Sequence, residues 1–255
     1  MDELTLIGIG TGNPDHLTGQ GIAALRAADA VLIPRKGTDK ADLADLRREI
    51  CAEVLGAGAA ARIVEFDMPL RDAGGDYLSG VADWHEAVAR AWVAALATRP
   101  TARRVALLIW GDPSLYDSAL RIAGRLAPAP RLTVVPGITA LQALCAAHAI
   151  PLNDLGAPVL ITTGRRLRDE GWPAAADRVA VMLDGGCAFR TLDPAGLQIW
   201  WGAYLGMAHE ITLAGPLRDL APRIVAARAA ARDRHGWIMD TYLLCRTPTP
   251  EEPRP

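Results

Sequence analysis

Residues 104–118 read RVALLIWGDPSLYDS. The run 105–109 is apolar without interruption and of strand length, as expected for a strand buried on both faces. Gly111 and Pro113 stop it, with the carboxylate of Asp112 between them, and SLYDSALRIAGRL continues as a helix. A buried strand, a sharp turn and a helix make up the grammar of a parallel sheet. The same grammar repeats on either side. Upstream, LTLIGI at 4–9 is a short strand ending in glycines, and Thr18 stands as an N-cap before GQGIAALRAADA. VLI at 31–33 is a second strand stopped by Pro34, 41–55 a helix, 63–66 a third strand and 76–97 a long helix. Downstream, LTVV at 132–135 is a fifth strand, and a helix, ITALQALCAAHAI, follows Pro136-Gly137.

The pattern changes after about residue 150. Strands are expected at 158–162, 178–184, 197–203, 210–214 and 237–245, mostly without full helices between them. A helix at 220–234 is the exception. This implies a mixed or antiparallel sheet and a second domain. The reading is therefore two α/β domains: 1–136 with a parallel sheet covered by helices on both faces, and 137–246 with a mixed sheet. The proline-rich end, 247–255 (TPTPEEPRP), reads as a disordered tail.

Composition narrows the function classes. The chain has 255 residues, 51% hydrophobic and 22% charged, enough apolar content for a sizeable core. A net charge of −2 removes bulk electrostatics as a reason to bind nucleic acid or anionic membrane. Of the 27 basic residues only Lys36 and Lys40 are lysines. Codon bias explains that, and so does a need for arginine forks to hold carboxylates. Cys51, Cys145, Cys187 and Cys245 lie far apart, and no HExxH occurs, so no dedicated metal site is expected. The acidic N-terminus has no basic leader region, and no run of 18 apolar residues occurs, which makes the cytoplasm the default.

Loops at the carboxyl ends of parallel strands are where ligands bind. The first, GTGNPDHLT, begins like a dinucleotide fingerprint, but Asn13 stands where GxGxxG needs glycine, and strand two ends in Ile33-Pro34-Arg35 with no acid for a ribose hydroxyl. The second holds Asp112, which suits a ligand or simply caps the next helix. The third, Pro136-Gly137-Ile138-Thr139-Ala140, places small residues at a helix start, where a ligand can approach the backbone.

Taken in this order, the loops resemble those of the tetrapyrrole methylases, the S-adenosylmethionine-dependent enzymes of corrin and sirohaem biosynthesis. The marks are GxGxGxPxxLT from Gly8 to Thr18, GDP after strand four, PGIT after strand five, and Gly215-Pro216-Leu217. The resemblance covers about residues 4–246. PGITA departs mildly from the commoner PGISS and keeps a hydroxyl at Thr139. WGDPSLYDS (110–118), ITTGRRL (161–167), WGAYLG (201–206) and RHGWIMDTYLL (234–244) resemble the deacetylating subgroup of the family.

The resemblance implies a homodimer of two-domain chains, each with an active-site cleft between its domains. It implies S-adenosylmethionine as cofactor, S-adenosylhomocysteine as product, and a tetrapyrrole polycarboxylate, precorrin-5, as substrate. The implied reaction methylates C-1 and expels the C-20 acetyl group. By motif, the cofactor would be lined by Pro14, Trp110, Gly111, Asp112, Leu115, Thr139, Ala140, Met182, Ala203, Tyr204, Gly215 and Pro216. Met182 reads equally as an ordinary core residue. Arg35, Lys36, Arg165, Arg166 and Arg168 follow strand ends and suit substrate carboxylates, or form solvated surface clusters. Acetyl loss needs activated water and proton transfer, for which His16, Tyr116 and Asp240 are candidates. Each has a plainer reading: His16 packs in its turn, Tyr116 only positions a ligand, and Asp240 pairs with an arginine. The rival functions are a sibling methyltransferase acting at another ring carbon, an NAD(P) oxidoreductase, and a non-catalytic corrinoid-binding module.

Overall fold

The structure, a computed structural model, describes residues 1–35, 41–70 and 77–246. Lys36 and the expected tail lie outside the described residues. The chain divides into two compact units, Met1–Thr139 and Ala140–Pro255.

The first unit contains β1 (Glu3–Gly8), α1 (Gly19–Ala27), β2 (Ala30–Arg35), α2 (Ala41–Leu55), α3 (Ala59–Arg62), β3 (Ile63–Asp67), α4 (Tyr77–Leu96), β4 (Arg104–Ile109), α5 (Ala119–Ala123) and β5 (Arg131–Val135). Its strands are all parallel, in the order β3-β2-β4-β1-β5. Alternation along each strand sends one set of side chains to either face. Leu4, Leu6, Leu32, Val105 and Leu107 pack with Val88 and Trp92 of α4 and Ile122 of α5. Ile7, Val31, Ile33, Ala106 and Leu108 pack with Leu25 of α1 and Ile50 and Cys51 of α2. Both faces of the sheet are thus covered, which is why its strands read as unbroken apolar runs. Thr18 caps α1 by accepting from the Gly21 N–H at 3.0 Å.

The second unit contains α6 (Ala140–His148), β6 (Leu160–Thr163), α7 (Gly164–Glu170), β7 (Arg178–Met182), β8 (Leu197–Ala203), β9 (Ile211–Pro216), α8 (Leu217–His235) and β10 (Asp240–Arg246). Its sheet is mixed, in the order β6-β7-β10-β8-β9, with only β6 and β7 parallel as neighbours. Gly202 leaves room for Leu144 of α6, while the neighbouring Trp201 points to the side where α8 contributes Arg228. The two helices therefore cover opposite faces.

Three local differences from the expected elements have plain causes. The helix expected over 114–126 shrinks to α5, because Asp112 and Asp117 turn the chain by accepting from the Ser114 and Ala119 N–H groups, and Tyr116 takes φ 52. Helix α7 was not expected: GRRLRDE has one buried large apolar residue, Leu167, and so no period to read. The last strand begins at Asp240 instead of Trp237, since Trp237 packs its ring edge-on to Tyr204. Among the described residues, no helix is long and apolar enough to cross a membrane.

Candidate functional site

In the first unit the loops after β1, β4 and β5 meet through glycines. A Cβ on Gly137 would fall 2.2 Å from the Gly111 carbonyl oxygen and 2.7 Å from the Gly8 Cα. Gly10 and Gly111 exchange backbone hydrogen bonds of 3.3 and 2.7 Å. Both take positive φ, 75 and 66, which a side chain would resist. Asp112 braces the junction. One oxygen accepts from the Ser114 N–H at 2.7 Å and from its hydroxyl at 2.5 Å, and the other from the Gly137 N–H at 2.8 Å. Burial pushes the Asp112 carboxyl up, but the bonds from Ser114 and Gly137 outweigh it and hold it below the usual range.

The structure thus brings Gly111, Asp112 and Thr139 together, a Cβ on Gly111 lying 3.9 Å from the Thr139 Cα. Pro14 is exposed at the first position of a short 3-10 turn, Pro14–His16, which Asn13 caps. His16 packs in that turn: a Cβ on Gly10 would strike its Cβ at 2.3 Å, and its Nδ1 lies 3.3 Å from the Thr11 hydroxyl. Tyr116 is 42% exposed. Trp110 and Leu115 are half-buried.

In the second unit the carboxyl ends of β6, β7 and β8 lie at one end of the sheet. Thr163 pairs with Met182, and Asp240, at the start of antiparallel β10, pairs with Ala203. Met182 is half-buried, and the next residue, Leu183, is 66% exposed with φ 53. Ala203 and Tyr204 are buried; the Tyr204 hydroxyl donates to the Trp237 carbonyl, so Tyr204 has only its backbone (φ 51) to offer a ligand. Gly215 and Pro216 do not join this end. They pair with Ile199 and Gln198, near the start of β8, four or more residues of strand away from Ala203.

Asp240 is held by others. One oxygen accepts from the Trp201 indole N–H and the Arg228 Nε, both at 2.9 Å, and the other from Arg228 at 3.2 Å. This matches its plainer reading, a partner for an arginine. Burial opposes the charge on Arg228, but the bond and charge of Asp240 outweigh it and hold the guanidinium above its usual range.

The expected substrate arginines are all surface groups. Arg35 sits 2.9 Å from Asp67 and 3.8 Å from Glu65. Arg166 grips Glu170 with two bonds of 2.9 and 3.0 Å, and Arg168 reaches Asp169 at 3.1 Å. Exposed pairs of this kind contribute about 0–1 kcal/mol, so exchanging such a partner for a ligand carboxylate costs little. Arg165, Arg166 and Arg168 follow β6, at the same end of the sheet as Met182.

Two features went unread in the sequence. Asp184 follows β7 as Asp112 follows β4, in MLDGG against WGDPS, and the shared signal was a carboxylate beside glycine at a strand end. Arg228 gave no signal, being one of many arginines on α8. Among the described residues no cluster of His, Cys, Asp and Glu could hold a metal ion.

Residues 3–221 match the family description Tetrapyrrole (Corrin/Porphyrin) Methylases. The chain belongs to the tetrapyrrole methylase family. It is 46% identical over 250 residues to a precorrin-6A synthase [deacetylating] of Sinorhizobium sp., covering 96% of this chain and 95% of that one. A solved cobalamin-synthesis-related protein (CobF) of Corynebacterium diphtheriae superposes with a TM-score of 0.83 at 35% identity, covering 97% of this chain and 100% of that one. A uroporphyrin-III C-methyltransferase of Thermus thermophilus, solved with S-adenosylhomocysteine, shares the fold at TM-score 0.55 and 17% identity, over 95% and 97% of the two chains.

Proposed function

We propose that the chain is an S-adenosylmethionine-dependent C-methyltransferase that methylates C-1 of precorrin-5 and releases the C-20 acetyl group as acetate, giving precorrin-6A. The observation that carries this reading is the 46% identity across 96% of the chain to the enzyme named for that product.

The residues present fit the cofactor. Gly8, Gly111 and Gly137 bare the backbone of three loops, and Met182 offers an apolar, half-buried side chain at a strand end for an adenine ring. The candidates to contact it are Gly111, Leu115 and Thr139 in the first unit, and Ala140, Met182, Ala203 and the Tyr204 backbone in the second. S-adenosylmethionine supplies a methyl group on a sulfonium whose charge is lost in an in-line displacement. The chain's own part is to align the partners and exclude water. Arg165, Arg166 and Arg168 hold substrate carboxylates. Tyr116, exposed and at φ 52 in the loop after β4, is the side chain for proton transfer during acetyl loss.

The test is turnover of precorrin-5 with methyl-labelled cofactor. The reading expects a product with one added methyl and one acetate released per turnover. A methylated product that keeps its acetyl group would move the chain to a sibling activity.

The reading includes a homodimer working in the cytoplasm. Supporting it, the edge strand β6 exposes Leu160 and Ile161 by 39% and 38%, and Leu155, five residues earlier in the chain, is fully exposed. The Leu155 loop is pinned by Arg178 to Asp154 at 2.7 and 3.0 Å. The four cysteines are free thiols, which suits a reducing compartment. Light scattering expects twice the chain mass; a single-chain mass would remove the dimer.

A further inference from the structure

We propose that Arg228 and Asp240 form a strut that holds the loop 183–188, after β7, in the shape that receives the cofactor, and that Asp240 acts by position and not as an acid or base. The inference rests on the S-adenosylmethionine reading above.

The loop is tied at several polar points. Arg228 donates to the Asp184 carbonyl at 2.8 Å and the Gly185 carbonyl at 3.2 Å. The Asp184 carboxylate accepts from the Gly186 and Ala188 N–H groups at 2.9 and 2.6 Å, and from the Tyr242 hydroxyl at 2.6 Å. Gly164 at the start of α7 leaves the room this needs, since a Cβ there would fall 2.3 Å from the Asp184 side chain. At the head of the loop, Leu183 is held at φ 53 with its side chain exposed, directly after Met182. A left-handed leucine persists only when its surroundings over-determine it.

Asp240 completes the arrangement. The Arg228 and Asp240 side chains are 11% and 6% exposed, and Asp240 stands between the ends of β7 and β8. Both Asp240 oxygens are already engaged, one by the Trp201 indole and the Arg228 Nε and the other by a second Arg228 nitrogen, which is the geometry of a positioning group. Removing one partner of a buried pair strands the other charge, so the loop, whose carbonyls depend on Arg228, would lose its set shape.

The experiment compares Arg228→Gln, Arg228→Lys and Asp240→Asn with the native chain. The readouts are S-adenosylhomocysteine calorimetry, amide hydrogen exchange over 183–188, and kcat and KM for the cofactor at several pH values. The strut predicts that Arg228→Gln weakens S-adenosylhomocysteine about tenfold or more, raises the cofactor KM in step, and leaves kcat at saturation within about twofold. Arg228→Lys and Asp240→Asn, which keep polar groups in place, should fall between, with faster exchange at 183–188 and an unchanged pH profile. If Arg228→Gln does not fold, these two variants decide. A large loss of kcat in Asp240→Asn with native S-adenosylhomocysteine affinity would overturn the strut and make Asp240 an acid or base. Native affinity and native exchange in both conservative variants would overturn it as well. A native chain that binds no S-adenosylhomocysteine would instead defeat the cofactor reading.

Discussion

The two units build the carboxyl ends of their sheets from different materials. In the first, three loops meet backbone to backbone at Gly8, Gly111 and Gly137, with Asp112 as the brace. In the second, β7, β8 and β10 are held by side chains: Arg228, Asp240, Trp201, Asp184 and Tyr242. The first end depends on the absence of side chains, and the second on their charge. That difference predicts how each can be broken.

The largest effect belongs to the glycine junction. Gly137→Ala puts a methyl 2.2 Å from the Gly111 carbonyl oxygen, where only backbone could yield. We expect a loss of about 3 kcal/mol or more in urea unfolding, with cofactor binding abolished. Gly164→Ala, its counterpart in the second unit, meets the Asp184 side chain instead, and should cost less stability while still weakening the cofactor. Equal losses would mean the two ends are not built differently.

Next is the brace. Asp112→Ala leaves the Gly137 N–H without its acceptor and should cost about 1–3 kcal/mol. Because the Asp112 carboxyl is held below its usual range, its stabilisation is present above the unfolded-state value of 3.8 and is lost as pH falls through the folded value. Acid titration of the variant, followed by circular dichroism, should lack that part of the native loss.

Tyr242→Phe removes one of three donors to the Asp184 carboxylate and should cost about 1.5 kcal/mol, measured by thermal unfolding. The smallest effect comes from His85 of α4. It is buried, its Nε2 has no partner among the described residues, and burial with Arg125 and Arg121 nearby pulls it below its ordinary 6.5. The unfolded chain therefore binds a proton first, and stability declines as pH drops below 6.5. His85→Phe should flatten that decline in denaturant melts.

This contrast also explains what could be read in advance. Gly8, Gly111, Asp112 and Gly137 stand beside strands that announce themselves, so the first end was legible: residue type and local spacing are what backbone packing requires. The strut was not. Arg228 lies 12 residues from Asp240 and 44 from the Asp184 carbonyl it holds, and no spacing rule joins them. Asp240 could be named as unusual, but whether it was a proton carrier or an arginine's partner depended on a helix bringing Arg228 over it. The position of Gly215 and Pro216 was hidden for a related reason: their motif is local, while the register of β9 against β8 sets which end of the sheet they occupy.

The most direct test of the central claim, that this chain is an S-adenosylmethionine enzyme, is amide hydrogen exchange of the native chain with and without S-adenosylhomocysteine. The account predicts slowed exchange in two sets of segments, 8–16 with 110–117 and 137–140 in the first unit, and 182–188 with 203–205 in the second. Unchanged exchange in these segments with S-adenosylhomocysteine, or protection by NADP with none from S-adenosylhomocysteine, would contradict it.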